Sequence, residues 1–545
     1  MARNMKKRPI TKEPERAEGV YDKRLSRSKL GDSTKCAPND PAWYAANSAL
    51  LRDSGSFSFN NPIGNRITLA PTGTSSLSSK VMSIPGVYAI KTAPSIGISK
   101  DNSSPVNIAA RNIYSFVRHA NSGHANYDAP DLMLYLLAMD QLYSALAFMS
   151  RAYGVMSYYS QANRYLPKAL MYAMGLDYDD FMAQLADFRY FINSSAVKVG
   201  SMCVPKSMSY FARHMWMYSN VYKDSTAWKA GLYLYTPHSF WKYAPVASQQ
   251  GGSLVEVLVK GAATSKLMTF TELRAMMTDM MNAVILDEDS NIMSGDILKA
   301  FTADGVFKIG PIGEDYTVEP VHNVEVLGQI NNATLVGTSL TNNTVTQSVT
   351  GATAGALLYN PEIPVDTSTT SYYGMDTLFN CFSDMPTPEE VMVNSRLTVQ
   401  PIGLDAGAAQ LTSSGSDIAL YGQIFTFVAD SNNKWDVVTP AYATKVIKYP
   451  FYDTASIDLE SFANITGQQE CFDWHPQVIP VMGTVNGSGA ITSGSVLWPQ
   501  IDLDNYTMMN ARDLEKMHET ALLSQFAVPQ MGTWNDKLAK IGRAS

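Results

Sequence analysis

Asp177, Asp179 and Asp180 crowd into four consecutive positions, and clustered acids are what a two-metal nucleotidyl-transfer centre needs. Such acids must be aimed from strand ends. Here Gly175 stops one helical pattern and the acids open the next, where the dipole at a helix start favours negative charge. Helix capping is the favoured reading. His119, His124 and Asp128 bring imidazoles and a carboxylate close in sequence, and both are ordinary metal ligands. His124, however, falls in an Asn-Ser-Gly turn beyond a helix end, so a structural role is expected and no metal site is assigned. His214, His238, His322, His475 and His518 are isolated in sequence, and spacing assigns no nucleophile to any of them. There is no Gly-x4-Gly-Lys-Ser/Thr loop, no His-Glu-x-x-His and no Gly-x-Ser-x-Gly. The expectation is therefore no catalytic residue, no metal and no cofactor.

The positive charge is concentrated at one end. Arg3, Lys6, Lys7, Arg8, Lys12, Arg16, Lys23, Arg24, Arg27, Lys29 and Lys35 face only five acids within the first 35 residues. That is a net +6 on a chain whose total is −7, which leaves −13 for the remainder. A basic, polar arm on an acidic body is the charge layout of a protein that touches a polyanion with one end. RNA is the expected partner, through the residues from Arg3 to Lys29. About four to six phosphate contacts would give non-specific, salt-labile binding. The arm, residues 1–60, has too little apolar surface to offset its own ordering entropy, and Met1 to about Ser33 is expected to be mobile. Trp43, Tyr44, Leu50 and Leu51 form an apolar island that could dock the arm on the body.

With 545 residues and 46% hydrophobic content the chain can bury a large core. Only 17% of residues are charged, below the usual share of about 25%. Together with 29 Tyr, 28 Met and 8 Trp, that composition suits extensive subunit contacts. No apolar run follows the basic residues at the start, so no signal peptide is expected. The longest apolar stretch, Leu132 to Met149, contains Asp140, Gln141 and Ser144 and reads as a core helix, not a membrane span. Cys36, Cys203, Cys381 and Cys471 lie far apart, which implies neither a disulfide framework nor a zinc site.

From about 104 to 305 the periodicity is helical. Ser104-Pro105 is a start signal, and Val106, Ala109, Ile113, Phe116 and Val117 recur at three and four. Asp128 caps a second helix that is apolar all round through Leu132 to Met139, as befits an element buried between others. Further helices are expected over Pro167 to Met174, from Asp177 onward, over Ser207 to Asn220 and over Glu272 to Leu286. After about Gly310 the pattern turns to short alternating runs: Tyr316 to Val326, Ala333 to Val349, Arg396 to Val399, Ile418 to Val428 and Val446 to Tyr449. Asn505 to Phe526 returns to helix. A β-rich segment thus lies between helical segments.

The run from Ser104 to Asp140, continued by Arg151 to Gly154, Tyr172 to Gly175, Val204-Pro205 and Arg213 to Asn220, resembles the capsid proteins of picobirnaviruses, double-stranded RNA viruses. The likeness is best over about residues 85–245. It implies an α+β chain: a mainly α shell domain (61–310), an inserted β-rich protruding domain (311–500) and a C-terminal helix returning to the shell (501–545). It further implies symmetric dimers on an icosahedral lattice, with the arm inside. Some members trim their arm by self-cleavage; Asn60-Asn61-Pro62 and Asp40-Pro41 are scissile-looking here, but no cleavage motif is established.

The leading expectation is a non-enzymatic coat protein, located in the virion and assembled in the host cytoplasm. It would self-assemble around double-stranded RNA and carry no membrane span. An RNA-dependent polymerase or other RNA-processing enzyme is the alternative, resting on Asp177, Asp179 and Asp180. A cellular RNA-binding module tethered by the arm is a third.

Overall fold

A computed structural model describes residues 43–44, 47–57, 66–68, 81–83, 86–123, 126–158, 166–227, 230–245, 251–260, 266–337, 339–364, 377–405, 408–429, 435–438, 443–444, 451–453, 472–476, 481–485, 491–496 and 503–529. The basic residues from Arg3 to Lys35, and both scissile-looking sites, lie outside this set.

The fold is organised around one helix, Ala129–Met156, whose 28 residues are almost all buried. Its start is legible: the Asp128 amide donates to Asp131 Oδ2 at 2.9 Å, and Pro130 occupies the first turn. The helix is long and apolar enough to cross a membrane, yet its most apolar stretch is wholly enclosed by protein, as expected of a core helix. Around it pack Pro105–Ala120, Leu185–Val199, Ser209–Ser219, Phe270–Ile285 and strand Ser239–Ala244.

The surrounding helices follow their sequence signals closely. Pro105–Ala120 starts at Ser104, Leu166–Ala173 is stopped near Gly175, and Phe270–Ile285 opens on a reciprocal Thr269/Glu272 capping box. The helix expected from Asp177 breaks at Gln184 into Tyr178–Ala183 and Leu185–Val199.

Much of the sheet structure was not foreseen. The central sheet runs Val321–His322, Tyr222–Lys223, Leu232–Pro237, Val87–Pro94, Asp417–Ala429, Trp435–Val438, with Ala443–Thr444 also on Asp417–Ala429. Val87–Pro94 is parallel to Leu232–Pro237 and antiparallel to Asp417–Ala429. The segment read as β-rich therefore places its longest strand in the same sheet as two strands from the segment read as helical. A second sheet joins Leu357–Leu358, Val345–Gln347, Ser253–Leu258 and Ser239–Ala244.

Four expectations for the later chain need correcting. Tyr316 to Val326 is not a strand: only Val321–His322 pairs, and Asn323 then caps helix Val324–Asn331 by accepting from the Val326 amide. Of Ala333 to Val349, only Val345–Gln347 is a strand. Arg396 to Val399 is a buried turn and extended run outside any sheet. Asn505–Met509 pairs antiparallel with Thr377–Cys381, and the helix starts later, at Ala511–Gln525, because Asn510 accepts from the Asp513 amide and caps it there. Ile418 to Val428 is a strand as read, and Val446 to Tyr449 lies outside the described residues.

The apolar island does not dock. Trp43, Tyr44 and Leu50 are exposed, and helix Ser48–Gly55 buries no residue. An Asn47 cap forms this helix locally.

The C-terminal helix Ala511–Gln525 packs on Pro105–Ala120 and Ser209–Ser219, and Phe526 stacks on Tyr210 at 4.6 Å. Gly97 is required for this seat. Its φ is +75°, and a Cβ there would lie 2.3 Å from Leu522 Cδ1. Gly97→Val should therefore cost about 1–3 kcal/mol in urea unfolding and leave the C-terminal helix the first segment to exchange its amides. A loss below about 0.5 kcal/mol would argue against this packing.

Candidate functional site

The acids weighed as a metal centre are spent on two helix caps and one ion pair. Asp177 Oδ1 accepts from the Asp179 amide at 3.1 Å and the Asp180 amide at 3.4 Å. Asp179 pairs with Lys168 at 3.0 Å, and Asp180 Oδ2 accepts from the Phe270 amide at 2.7 Å, so the three carboxylates face different partners. His119 and Asp128 are both exposed, and His124 lies outside the described residues. No group of three His, Cys, Asp or Glu side chains among the described residues could hold a metal ion. Cys203 and Cys381 are buried free thiols; Cys36 and Cys471 lie outside the described set.

Folding instead assembles a cluster that no spacing announces. His214, on helix Ser209–Ser219, has Nδ1 at 2.6 Å from Asp140 Oδ2 on the central helix. Its Nε2 lies 3.2 Å from Asp417 Oδ1, at the start of the long strand. Arg213 Nη2 stands 3.1 Å from Asp417 Oδ2, and Arg213 Nε donates to Ser416 Oγ at 3.0 Å. Gln141 Nε2 donates to Asp140 Oδ2, and Tyr210 packs edge-on against the imidazole. His214, Asp140 and Asp417 are each at most 1% exposed.

Two carboxylates and two cations thus balance in a sealed site. Burial opposes a charge on His214, but Asp140 and Asp417 together outweigh it and hold the imidazolium up to about 10. Burial likewise pushes Asp417 up, yet His214 and Arg213 bring it down to about 2. For Asp140 burial is the larger effect and the net direction is upward, with His214 opposing.

A second set of buried basic groups draws on the same central helix and on strand Val87–Pro94. Lys91 Nζ donates to the Ala173 carbonyl at 3.0 Å, and burial with nearby Arg151 lowers it to about 7. Arg151 donates to the Asn220 and Tyr235 carbonyls at 3.1 and 2.8 Å. His238, buried beside Lys91, is held down at about 4. His475 bonds the adjacent Pro476 carbonyl, whereas His322 and His518 reach the Lys223 carbonyl and Ser413 Oγ, 99 and 105 positions away, and tie distant segments together.

His214 resembles the middle of a catalytic relay in its two carboxylate neighbours, but a catalytic imidazole needs substrate at one nitrogen. Here both nitrogens face carboxylates inside the core, so the cluster fastens elements together. A pocket of about 140 Å³ lies between Val324–Asn331, Pro388–Asn394 and Thr377–Cys381; Glu325, Glu389 and Glu390 line it alongside Cys381. At the surface, large apolar groups stand in the open, among them Tyr190, Leu286, Met385 and Tyr506.

The family follows from comparison. The sequence model of the picobirnavirus capsid protein family matches residues 43–376. The chain belongs to that family. A capsid protein precursor of Human picobirnavirus (strain Human/Thailand/Hy005102/-) is 29% identical over 521 residues, covering 91% of this chain and 92% of the relative. The X-ray structure of the picobirnavirus capsid superposes with a TM-score of 0.75 at 24% identity, covering 91% of this chain and 100% of that one, and so shares the fold.

Proposed function

We propose that copies of this coat protein assemble, by way of two-fold symmetric dimers, into a closed icosahedral shell around double-stranded RNA. Family membership along most of the chain is the observation that carries this reading. The role is structural and non-enzymatic, and the polymerase alternative loses its footing because Asp177 and Asp180 cap two different helices while Asp179 pairs with Lys168. Shell assembly places the protein in the virion, formed in the host cytoplasm. Residues 61–310 and 501–545 would build the wall, and much of 311–500 would project from it. Strand Asp417–Ala429 would tie the two together through its pairing with Val87–Pro94. Arg3, Lys6, Lys7, Arg8, Lys12, Arg16, Lys23, Arg24, Arg27 and Lys29 would touch RNA phosphates without reading sequence.

Electron microscopy and sedimentation of the purified chain test the coat reading. Closed particles are expected, and a persistent monomer at high concentration would sink it. Deleting residues 2–33 should leave particles but lower their RNA content, read as the ratio of absorbance at 260 to 280 nm. Unchanged RNA packaging would remove the arm from the mechanism.

A further inference from the structure

We infer that the outer face of helix Leu185–Val199 is a two-fold contact with the same helix of a second copy, its ends locked by Asp187 of each chain against Lys198 of the other. The inference deepens the coat-protein reading and rests on it. The helix buries Phe188, Phe191, Ile192, Ser195, Ala196 and Val199 on one side. On the opposite side Tyr190 is 74% and Val197 72% exposed, and Ala186 is also exposed. At about 100° per residue these three fall within about 40° of one another, with Ser194 on one side and, on the other, the half-buried Asn193, which exchanges hydrogen bonds with the Ile312 backbone. A stripe this apolar on a solvated helix face is unusual unless something covers it.

The charges name the occupant. Asp187 and Lys198 are exposed near the two ends of the helix, about 16 Å apart on one flank and roughly 80–100° round from the centre of this stripe. Each sign suits its own helix end, which accounts for the charges but not for the bare Tyr190 and Val197 between them. Arg189, on the flank, already pairs with Glu314 at 3.4 Å. Among the described residues neither Asp187 nor Lys198 lies within ion-pair distance of an opposite charge. An antiparallel copy related by a two-fold axis near the helix midpoint sets Asp187 opposite Lys198 twice. It also lays Tyr190 along the small residues of its mate. Ala186 and Ser194 permit the about 8–10 Å axis separation of packed helices. One helix stripe is smaller than the about 800 Å² per partner of a standard interface, so it forms the centre of a wider contact.

Charge exchange tests the pairing in the full chain, read by sedimentation of purified protein and by particle imaging. Asp187→Lys alone, or Lys198→Asp alone, sets like charges together at both ends and should weaken self-association about tenfold. The exchanged double variant, Asp187→Lys with Lys198→Asp, should restore it to within about threefold. As an independent readout, D187C combined with K198C should give a covalent dimer on mild oxidation, well above either single variant. Those positions are too far apart in one chain to join. If the wild type assembles and both single reversals assemble equally well, this helix pairing is wrong while the coat reading stands. A wild type that never leaves the monomer overturns both.

Discussion

Replacing His214 with Leu should lower the unfolding free energy by about 3–5 kcal/mol, measured by urea denaturation near pH 6. The substitution removes the one cation between two carboxylates that have no solvent to turn to. Asp417 keeps Arg213, but Asp140 is left with Gln141 as its hydrogen-bond donor, and its carboxyl must take up a proton to stay buried. The pH profile carries a second signature. In the wild type His214 is raised to about 10, so its stabilisation is complete below its unfolded value of about 6.5 and fades as pH rises through 10. Asp417 is depressed to about 2, so its share is present above about 4 and fades as pH falls through 2. His214 and Asp417 are therefore jointly at full strength between about pH 4 and 6.5, while Asp140, raised by burial, favours the folded state less as pH climbs above about 4. In His214→Leu the raised Asp140 dominates, and stability should decline as pH climbs above about 4. A variant that keeps wild-type stability and a wild-type profile would show that the three side chains are not coupled.

The second large effect is expected at Trp241, on strand Ser239–Ala244. Trp241→Ala should cost about 3–5 kcal/mol and Trp241→Leu distinctly less, compared by the same urea midpoints. The indole is fully buried, donates through Nε1 to the Asn343 carbonyl at 3.1 Å, and meets Tyr359 edge-on at 5.4 Å. Its backbone amide donates to Gln141 Oε1 at 3.3 Å on the central helix. Asn343 in turn donates to Glu256, and Tyr359 reaches the Pro94 carbonyl and Asn343 Oδ1. Removing the ring opens a cavity where the 343–359 segment, the second sheet and the central helix meet. Near-UV circular dichroism should lose intensity in parallel. A loss under about 1 kcal/mol would mean that this segment is not seated on the strand.

Both sites join residues far apart in sequence, which explains what could be read in advance. Helix starts were legible because capping is local. Ser104-Pro105, Asp128 with Asp131, and Asp177 before two amides each declare a boundary within four positions. The all-apolar run after Leu132 declared a buried helix for the same reason. Alternation was a poorer guide. Ile418 to Val428 became a strand because Val87–Pro94 was there to pair with it, whereas Tyr316 to Val326 met only Tyr222–Lys223, over two residues. The fully buried strands Val87–Pro94 and Leu232–Pro237 show no alternation, since both of their faces are covered.

By itself, then, the amino-acid order determined the charge division between arm and body, the helix caps and the enclosed central helix. Each depends on neighbours a few positions away or on simple composition. Only the tertiary structure decided that Asp140, His214 and Asp417 share one site, and that the strand after residue 416 belongs to the sheet begun at Val87. A buried charge selects its partner through space, and strand pairing is settled by whichever edge the folded chain presents.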